Sequence, residues 1–335
     1  MATLDTPLPY VAFPWELDTL TFRSAGVSDT ISIKLTYGDN TIFEEELYFD
    51  VDGAVVLDQL SSLLMDYDTH KTETFEVIHT EGSATSHEFC QVIPNSTSTE
   101  RASEIVNKSF LTLLTGAKHS APDGTEVISF YSVSDDELLN IEATYITADG
   151  NCLSYAEKRQ LPIKIGDVSS FAINFSTLAI PEGATLAKVV LRVGERRQEY
   201  IINPSLTYSL RFLNSFGQED VVYFTELERE AKPVRSLAMI GDVQRTYLVV
   251  PDTKITGTTI PLMDSELAWA EDAANAVYLR DSEDRTVSLT DSEFTFTTSP
   301  QDLPQLRLTW KLAQQKYRFQ RSVRTFDFTF DTTYL

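Results

Sequence analysis

The chain has 335 residues, of which 42% are hydrophobic and 23% are charged, with 13 Gly and 13 Pro. This composition excludes collagen-like, low-complexity and largely disordered proteins. Lys and Arg total 27 against 50 Asp and Glu, a formal net charge of −23. Such acidity argues against nucleic acid and against an anionic membrane as partners, because both need clustered cations.

The amino terminus lacks a cationic start and an unbroken apolar stretch, so we expect no secretory signal. No segment approaches the roughly 18 to 20 apolar residues of a membrane span. Only Cys90 and Cys152 are present, without zinc-site spacing, and we interpret them as free thiols of a soluble product made in the cytoplasm.

Alternation of apolar and polar residues is the dominant pattern, and it predicts strands with one buried face. In the first of these strands, from Ile31 to Tyr37, apolar and polar residues alternate. Gly38 to Asn40 are residue types typical of turns, and apolar residues return from Ile42 to Phe49, so this segment is predicted to form a hairpin. The same alternation recurs at 206–212, 294–296, 306–310 and 326–330. The fold class predicted is therefore all-β, mainly antiparallel sandwiches or barrels.

Helical patterns are few. Residues 54–66 carry apolar side chains at helical spacing after the Asp50–Gly53 turn, and a second short helix is predicted at about 264–274. We expect helix content well below a third.

Two turn-rich joints suggest three domains: an acidic one at 1–120, a sandwich-like one at 121–204 and a third at 205–335. Cations and anions number 6 and 19 in the first, 7 and 12 in the second, and 14 and 19 in the third. The acidity is therefore concentrated at the front of the chain. A basic segment between Arg307 and Arg324 either faces an acidic neighbour or forms a solvated strand face.

No catalytic motif is recognisable. There is no GxSxG, no phosphate-binding glycine loop, and none of the histidines, His70, His79, His87 and His119, lies in a catalytic frame. A metal site at His79, His87 and Cys90 lacks a fourth ligand and is disfavoured.

Two acidic turns also have simpler interpretations. Asp50 to Gly53 lacks the later ligands of a calcium loop and is interpreted as a helix-entry turn. The segment from Asp281 to Arg285 is interpreted as a solvated hairpin tip rather than a surface cation site.

Three segments of the predicted third domain resemble segments of a known group of proteins. They are a strand, Asn-x-x-Gly turn and aromatic strand at 210–224, a short helix feeding a Val-Tyr-Leu strand at 263–279, and closing strands at 286–312. This part of the chain, about 205–315, resembles tail and distal-tail proteins of tailed phages and prophages of Bacteroidetes hosts. Gln218 stands where that group has an aromatic residue.

The resemblance implies a non-enzymatic structural protein of the virion, in the tail, tail tip or baseplate. It implies a symmetric oligomer whose partners are copies of itself and other tail proteins, with no catalytic residue and no cofactor. Two other functions stay open: a glycan-binding or adhesin module, for which Trp15 and Trp269 are the aromatic candidates, and a glycosidase with two carboxylates.

Two structural predictions concern the turn at Gly217 and the end of the chain. Gly217 is expected at the turn of the 210–224 hairpin with a positive φ. Phe326, Phe328 and Phe330 are expected to form one face of a terminal strand that docks on the third domain or on a neighbouring subunit. Deleting 325–335 should therefore impair solubility or assembly.

Overall fold

A computed structural model describes residues 1–67, 71–94, 100–134, 137–240, 243–250, 252–295 and 303–313. It is 54% strand and 12% helix, in several antiparallel sheets with few short helices. The prediction of an all-β chain with helix well below a third is confirmed.

The first part of the chain forms two sheets around one core. Its elements are β1 (Thr3–Leu4), β2 (Val11–Ala12), a 3-10 turn (Pro14–Leu17), β3 (Leu20–Arg23), β4 (Thr30–Tyr37), β5 (Asn40–Tyr48), β6 (Ala54–Leu57), α1 (Leu60–Asp66), β7 (Glu73–Glu81) and β8 (Ala84–Val92). The sheet orders are β1-β3-β6 and β2-β8-β7-β4-β5; β2 and β8 pair in parallel, and the other described pairs are antiparallel.

The predicted hairpin is confirmed as β4 and β5. Ile31, Ile33 and Leu35 are fully buried while the residues between them are exposed or half-buried, so the alternation places one face of β4 in the core. Gly38 forms the turn with φ of 56°, a left-handed conformation that glycine adopts without steric cost.

The second part also has two sheets. Its elements are α2 (Ala102–Lys108), β9 (Ala117–Ser120), β10 (Thr125–Tyr131), β11 (Leu138–Thr147), β12 (Cys152–Gln160), β13 (Val168–Asn174), a 3-10 turn (Phe175–Thr177), β14 (Ala184–Val193) and β15 (Arg196–Ile202). The orders are β12-β11-β14-β15-β9 and β10-β13, with β15 and β9 parallel.

The third part is built on one large sheet. Its elements are β16 (Tyr208–Leu213), β17 (Glu219–Phe224), β18 (Glu226–Ala231), β19 (Val234–Ile240), β20 (Val243–Val250), β21 (Thr253–Thr258), a 3-10 turn (Asp264–Glu266), α3 (Leu267–Asn275), β22 (Leu279–Asp281), β23 (Thr286–Thr295) and β24 (Gln305–Leu312). Seven strands are ordered β17-β16-β22-β23-β24-β21-β18, and β19 pairs with β20 in a separate two-stranded sheet.

Each part has its own hydrophobic core, and two smaller clusters join the parts. One cluster contains Phe13 of the first part, Val106 of α2, Tyr131 of β10 and Phe216 of the third part. The rings of Phe13 and Phe216 are 6.1 Å apart. The three parts therefore pack on one another through apolar contacts, while the boundaries at 120 and 204 stay predictions.

The predicted helix at 54–66 is wrong in its first half. Residues 54–57 form β6, which pairs with β3 from Leu20↔Leu57 to Arg23↔Ala54, and the helix begins only at Leu60. The turn at Asp50 consequently leads into a strand, not a helix; its carboxylate accepts the backbone N–H groups of Asp52 and Ala54.

The helix predicted at about 264–274 is present as the 3-10 turn and α3, whereas α2 was not predicted. Helix α2 buries only Ala102 and Val106, which are four residues apart, so its apolar face is too narrow to stand out in the sequence. In the described part of the chain, no helix has the length and apolar character needed to cross a membrane.

Candidate functional site

A two-stranded ribbon, defined here as β19 and β20, leaves apolar side chains in water. Val234, Leu237, Met239 and Val243 are each at least half exposed. Within the described residues the ribbon pairs with no third strand, although β18 and β21 continue it into the large sheet. A lone two-stranded hairpin is marginally stable in water, so these side chains have the character of an uncovered contact surface.

The ribbon differs in charge from the rest of the chain. Residues 232–254 contain four cations and two anions, whereas the whole chain has a net charge of −23. Lys232, Arg235 and Lys254 are exposed, and Lys232 forms an ion pair with Glu230. The ribbon therefore carries exposed apolar side chains on both faces, and with its flanks it has a small excess of positive charge.

A groove in the first part has the opposite charge. It encloses about 470 Å³ between the loop after β3 and the loop after β5. Its apolar lining residues Val27, Tyr48 and Val51 are strongly exposed, at 63%, 80% and 103%. Asp29 and Asp50 also line it, and none of the described lining residues is a Lys or Arg.

Gly217 lies in the turn between β16 and β17 with φ of 70°. Its backbone N–H donates to the Asn214 carbonyl at 2.9 Å. The Asn214 side chain holds the turn from inside, because its Oδ1 accepts the backbone N–H groups of Phe216 and Gln218, each at 3.0 Å. This is the Asn-x-x-Gly segment of the sequence analysis.

Gly217→Ala is expected to lower the free energy of unfolding by about 1 kcal/mol, because a Cβ at this φ is strained. Gln218→Ala, next to it, is the control and should cost little. The measurement is urea denaturation of both variants beside the wild type. Equal stability of the wild type and Gly217→Ala would contradict a requirement for glycine at this turn.

A buried polar cluster lies where the second and third parts meet. Lys118 on β9 is 1% exposed, and its ammonium donates to Glu126 Oε2 on β10 at 2.7 Å and to the Val221 carbonyl on β17. Asp220, also on β17, is 4% exposed and accepts hydrogen bonds from Thr112 at 2.8 Å and from the Asn214 amide at 2.9 Å.

Three aromatic rings surround the Lys118 ammonium. Its Nζ lies 4.8 Å from the ring centre of Trp269, 5.6 Å from that of Tyr223 and 5.9 Å from that of Tyr200. Trp269, predicted from the sequence as a candidate for glycan stacking, is 2% exposed. Its ring contacts the Lys118 ammonium and belongs to the hydrophobic core of the third part. Cation–π attraction replaces part of the hydration that the ammonium loses on burial.

Burial shifts the titration of both carboxyl groups in the cluster. It raises the pKa of Asp220 to about 7, against the opposing effects of the Lys118 charge and of the hydrogen bonds from Asn214 and Thr112. It also raises the pKa of Glu126, although the charge of Lys118 favours the carboxylate. Desolvation therefore outweighs the attraction of the ammonium at both carboxyls.

A second junction next to the cluster involves Glu266. This carboxylate is 1% exposed and accepts the backbone N–H of His119 at 2.8 Å and of Met263 at 2.9 Å. The His119 ring nitrogen Nδ1 lies 3.0 Å from Glu266 Oε2, the oxygen that also accepts the Met263 N–H. His119 thus ties β9 to the segment before α3.

The other residues singled out in the sequence are scattered. His79 is buried against the Phe22 ring, and burial lowers its pKa. His87 pairs with Glu76, and Cys90 is buried. Among the described residues no three side chains of His, Cys, Asp or Glu are grouped to hold a metal.

The remaining candidates lie in a closed turn, at the surface or outside the described residues. Asp281 accepts the backbone N–H of Arg285 at 2.9 Å and pairs with its guanidinium, so this turn is closed by its own residues. Trp15 is 38% exposed. The candidate interface residues Phe326, Phe328 and Phe330, like His70, lie outside the described residues.

Comparisons with known proteins assign the chain to no family. No family model matches the chain, and no curated protein matches it. A chimeric titin Z1Z2-Z1Z2 tandem functionalized with a GRGDS peptide from fibronectin is 10% identical over 61% of this chain and all of its own, with a TM-score of 0.17. A chimeric titin Z1Z2 functionalized with a KLER peptide from decorin is 11% identical over 60% of this chain and 96% of its own, with a TM-score of 0.16. Likenesses at such TM-scores carry no argument about this chain.

Proposed function

We propose that this protein is a non-enzymatic structural component of a phage virion, in the tail, tail tip or baseplate. It works by assembling into a symmetric oligomer and by contacting other tail proteins. The observation that carries the proposal is the ribbon, whose four exposed apolar side chains need a partner surface. The resemblance of residues 205–315 to phage tail proteins supports the same class of function.

The partner of the ribbon is the groove of a second copy. Both surfaces offer exposed apolar side chains, and the cations around the ribbon match the carboxylates of Asp29 and Asp50 in the groove. Opposite charges across an interface speed association and fix orientation. Since ribbon and groove are different surfaces, the contact is head-to-tail, and it closes into a ring when the rotation between copies permits.

The first test places charges on the ribbon. A Leu237→Glu, Met239→Glu variant should associate at least about 100-fold more weakly than the wild type, because each carboxylate enters the interface without a partner. Sedimentation velocity over a concentration series measures the change. Leu153→Glu, at an exposed apolar position of β12, is the matched control and should associate like the wild type.

A mixing experiment tests the head-to-tail geometry. Val51→Arg should disable the groove while leaving the ribbon intact. Mixed with the ribbon variant, it should form two-chain complexes and nothing larger, because only one ribbon and one groove remain functional in each pair. Full-size assembly in the mixture, or assembly by the ribbon variant alone, would contradict the ribbon-to-groove contact.

The location in a virion needs a separate experiment. Electron microscopy of purified particles, combined with mass spectrometry of the same sample, should place several copies of the chain in contact within the tail. Isolated copies on the particle surface, each without a neighbour of its own kind, would contradict the proposed role.

A further inference from the structure

The Lys118 and Glu126 side chains bring an amine and a carboxyl group into contact in a site closed to water. Their side chains are 1% and 2% exposed, and the Lys118 Nζ is 2.7 Å from Glu126 Oε2. We propose that the two groups condense within the folded chain to form an amide between Lys118 Nζ and Glu126 Cδ. The product is a covalent cross-link between β9 and β10.

The geometry is close to that of a reacting pair. The 2.7 Å contact between Nζ and Oε2 holds the nitrogen next to the carboxyl group, so only a small movement is needed to bring it over Cδ. The two residues are held by different strands joined by a tight turn, in which Gly124 leaves no room for a Cβ beside the Tyr223 hydroxyl and the Ser120 side chain. The fold therefore supplies the proximity that two free groups in water lack.

The reaction needs no added reagent. A proton passes from the ammonium to the carboxylate along the hydrogen bond, which gives a neutral amine and a carboxylic acid. The nitrogen lone pair attacks Cδ, the C–N bond forms, the C–O bond breaks, and the hydroxyl leaves with a proton from nitrogen as water. One ammonium and one carboxylate become one amide and one water molecule, so atoms and charge balance.

Burial favours the protonated Glu126 carboxyl group on which this step depends. Taking an ion pair out of water carries a desolvation penalty for each ion, and the attraction between the ions often does not offset it. The raised pKa of Glu126 has this origin. The surrounding rings of Tyr200, Tyr223 and Trp269 also keep out the bulk water that would hydrolyse an intermediate.

The amide would satisfy polar atoms that the ion pair leaves unpaired. In the described part of the chain, Glu126 Oε1 and the Ser120 hydroxyl each lack a hydrogen bond of normal geometry. After condensation the amide N–H keeps the Val221 carbonyl as its acceptor. The amide oxygen then faces Ser120, whose hydroxyl is close enough to lower the pKa of Glu126.

Mass spectrometry of the purified full chain tests the proposal. The intact protein, denatured before measurement, should be lighter than its sequence mass by one water molecule. Trypsin should not cut after Lys118, so the peptide 109–158 should appear in one piece and one water lighter. Cleavage before Asp123, which lies inside the loop, should leave two peptides that remain joined.

Two controls make the result specific. Lys118→Arg keeps the positive charge but its guanidinium forms no such amide, so this variant should have its full sequence mass. The Lys188 and Glu199 ion pair is more exposed, at 39% and 17%, and its peptides in the wild-type digest should be unmodified. A folded wild type with its full sequence mass would overturn the proposal, and a cross-link from Lys118 to Asp220 would overturn Glu126 as the acyl partner.

Discussion

Replacing Arg196 with methionine is expected to destabilise the chain by about 3–5 kcal/mol, the cost of breaking a buried ion pair by removing one partner. Arg196 is 1% exposed, and its guanidinium binds Glu137 at 2.8 Å. It also donates to the carbonyls of Val106 and Tyr131 at 2.8 and 2.7 Å. One side chain therefore joins β15, α2, β10 and the segment before β11.

The adjacent residue provides the control. Arg197 is 48% exposed and pairs with Glu199 at the surface, so Arg197→Met should change the free energy of unfolding by no more than about 1 kcal/mol. Both variants remove one positive charge from neighbouring positions, and chemical denaturation compares them directly. If both variants lost the same free energy of unfolding, the buried hydrogen bonds and ion pair of Arg196 would contribute no more to stability than the surface ion pair of Arg197.

A second substitution identifies the cause of the loss. If the main cost is the buried carboxylate that Arg196 leaves behind, Glu137→Gln in the Arg196→Met background should recover part of the stability. Arg196→Lys should be intermediate, because a single ammonium cannot reach three acceptors in the fixed directions of a guanidinium. No recovery in the double variant would assign the loss to packing against Phe130, whose ring centre is 5.0 Å from the guanidinium carbon.

The elements that the sequence predicts well are those stabilised by local contacts. In the β4–β5 hairpin the alternation, the Gly38 turn and the pairing partner all lie within 20 residues, so the pattern contains the needed information. Strand β6 is different, because its partner β3 lies more than 30 residues earlier. The apolar positions at 56, 60, 63 and 64 fit a helix equally well, and only the distant pairing decides that 54–57 is a strand.

The buried polar cluster gives no signal in the sequence. Lys118 stands in Ala117-Lys-His-Ser120, where neither alternation nor a motif sets it apart from a surface lysine. One of its partners, the Val221 carbonyl, is 103 residues away, and the burial of the ammonium depends on this long-range contact. Burial of charge is a property of tertiary packing, so the cluster becomes visible only in the structure.

The sequence also gives no indication of the ribbon, in which apolar side chains are exposed instead of charged ones being buried. Its apolar residues would ordinarily predict a buried strand, and nothing in the sequence marks Leu237 or Met239 as exposed. The ribbon forms a separate two-stranded sheet, and in the described part of the chain it pairs with no third strand. The sequence thus predicts strand here, and only the structure shows that Leu237 and Met239 on one face, and Val234 and Val243 on the other, are exposed.

The buried carboxyl of Asp220 is expected to make stability fall as pH rises from about 4 to 7. Its pKa is about 7 in the folded chain, against about 3.9 for an unfolded Asp, so the folded state holds a proton through this window that the unfolded state has released. Stability falls with pH wherever the folded state binds more protons, and the contribution becomes constant above pH 7.

Asp220→Asn isolates this contribution from the many other carboxyl groups. The amide oxygen can still accept from Thr112, and no charge has to be buried at high pH. The free energy of unfolding of the variant, taken relative to that of the wild type, should therefore rise by about 2 to 3 kcal/mol from pH 5 to pH 8. Urea denaturation at the two pH values measures the gap, with Asp123→Asn, at an exposed carboxyl, as the control for losing one charge. A stability difference between variant and wild type that is the same at both pH values would mean that Asp220 is ionised throughout. The Lys118 charge and the hydrogen bonds that Asp220 accepts would then outweigh the cost of burying the carboxylate.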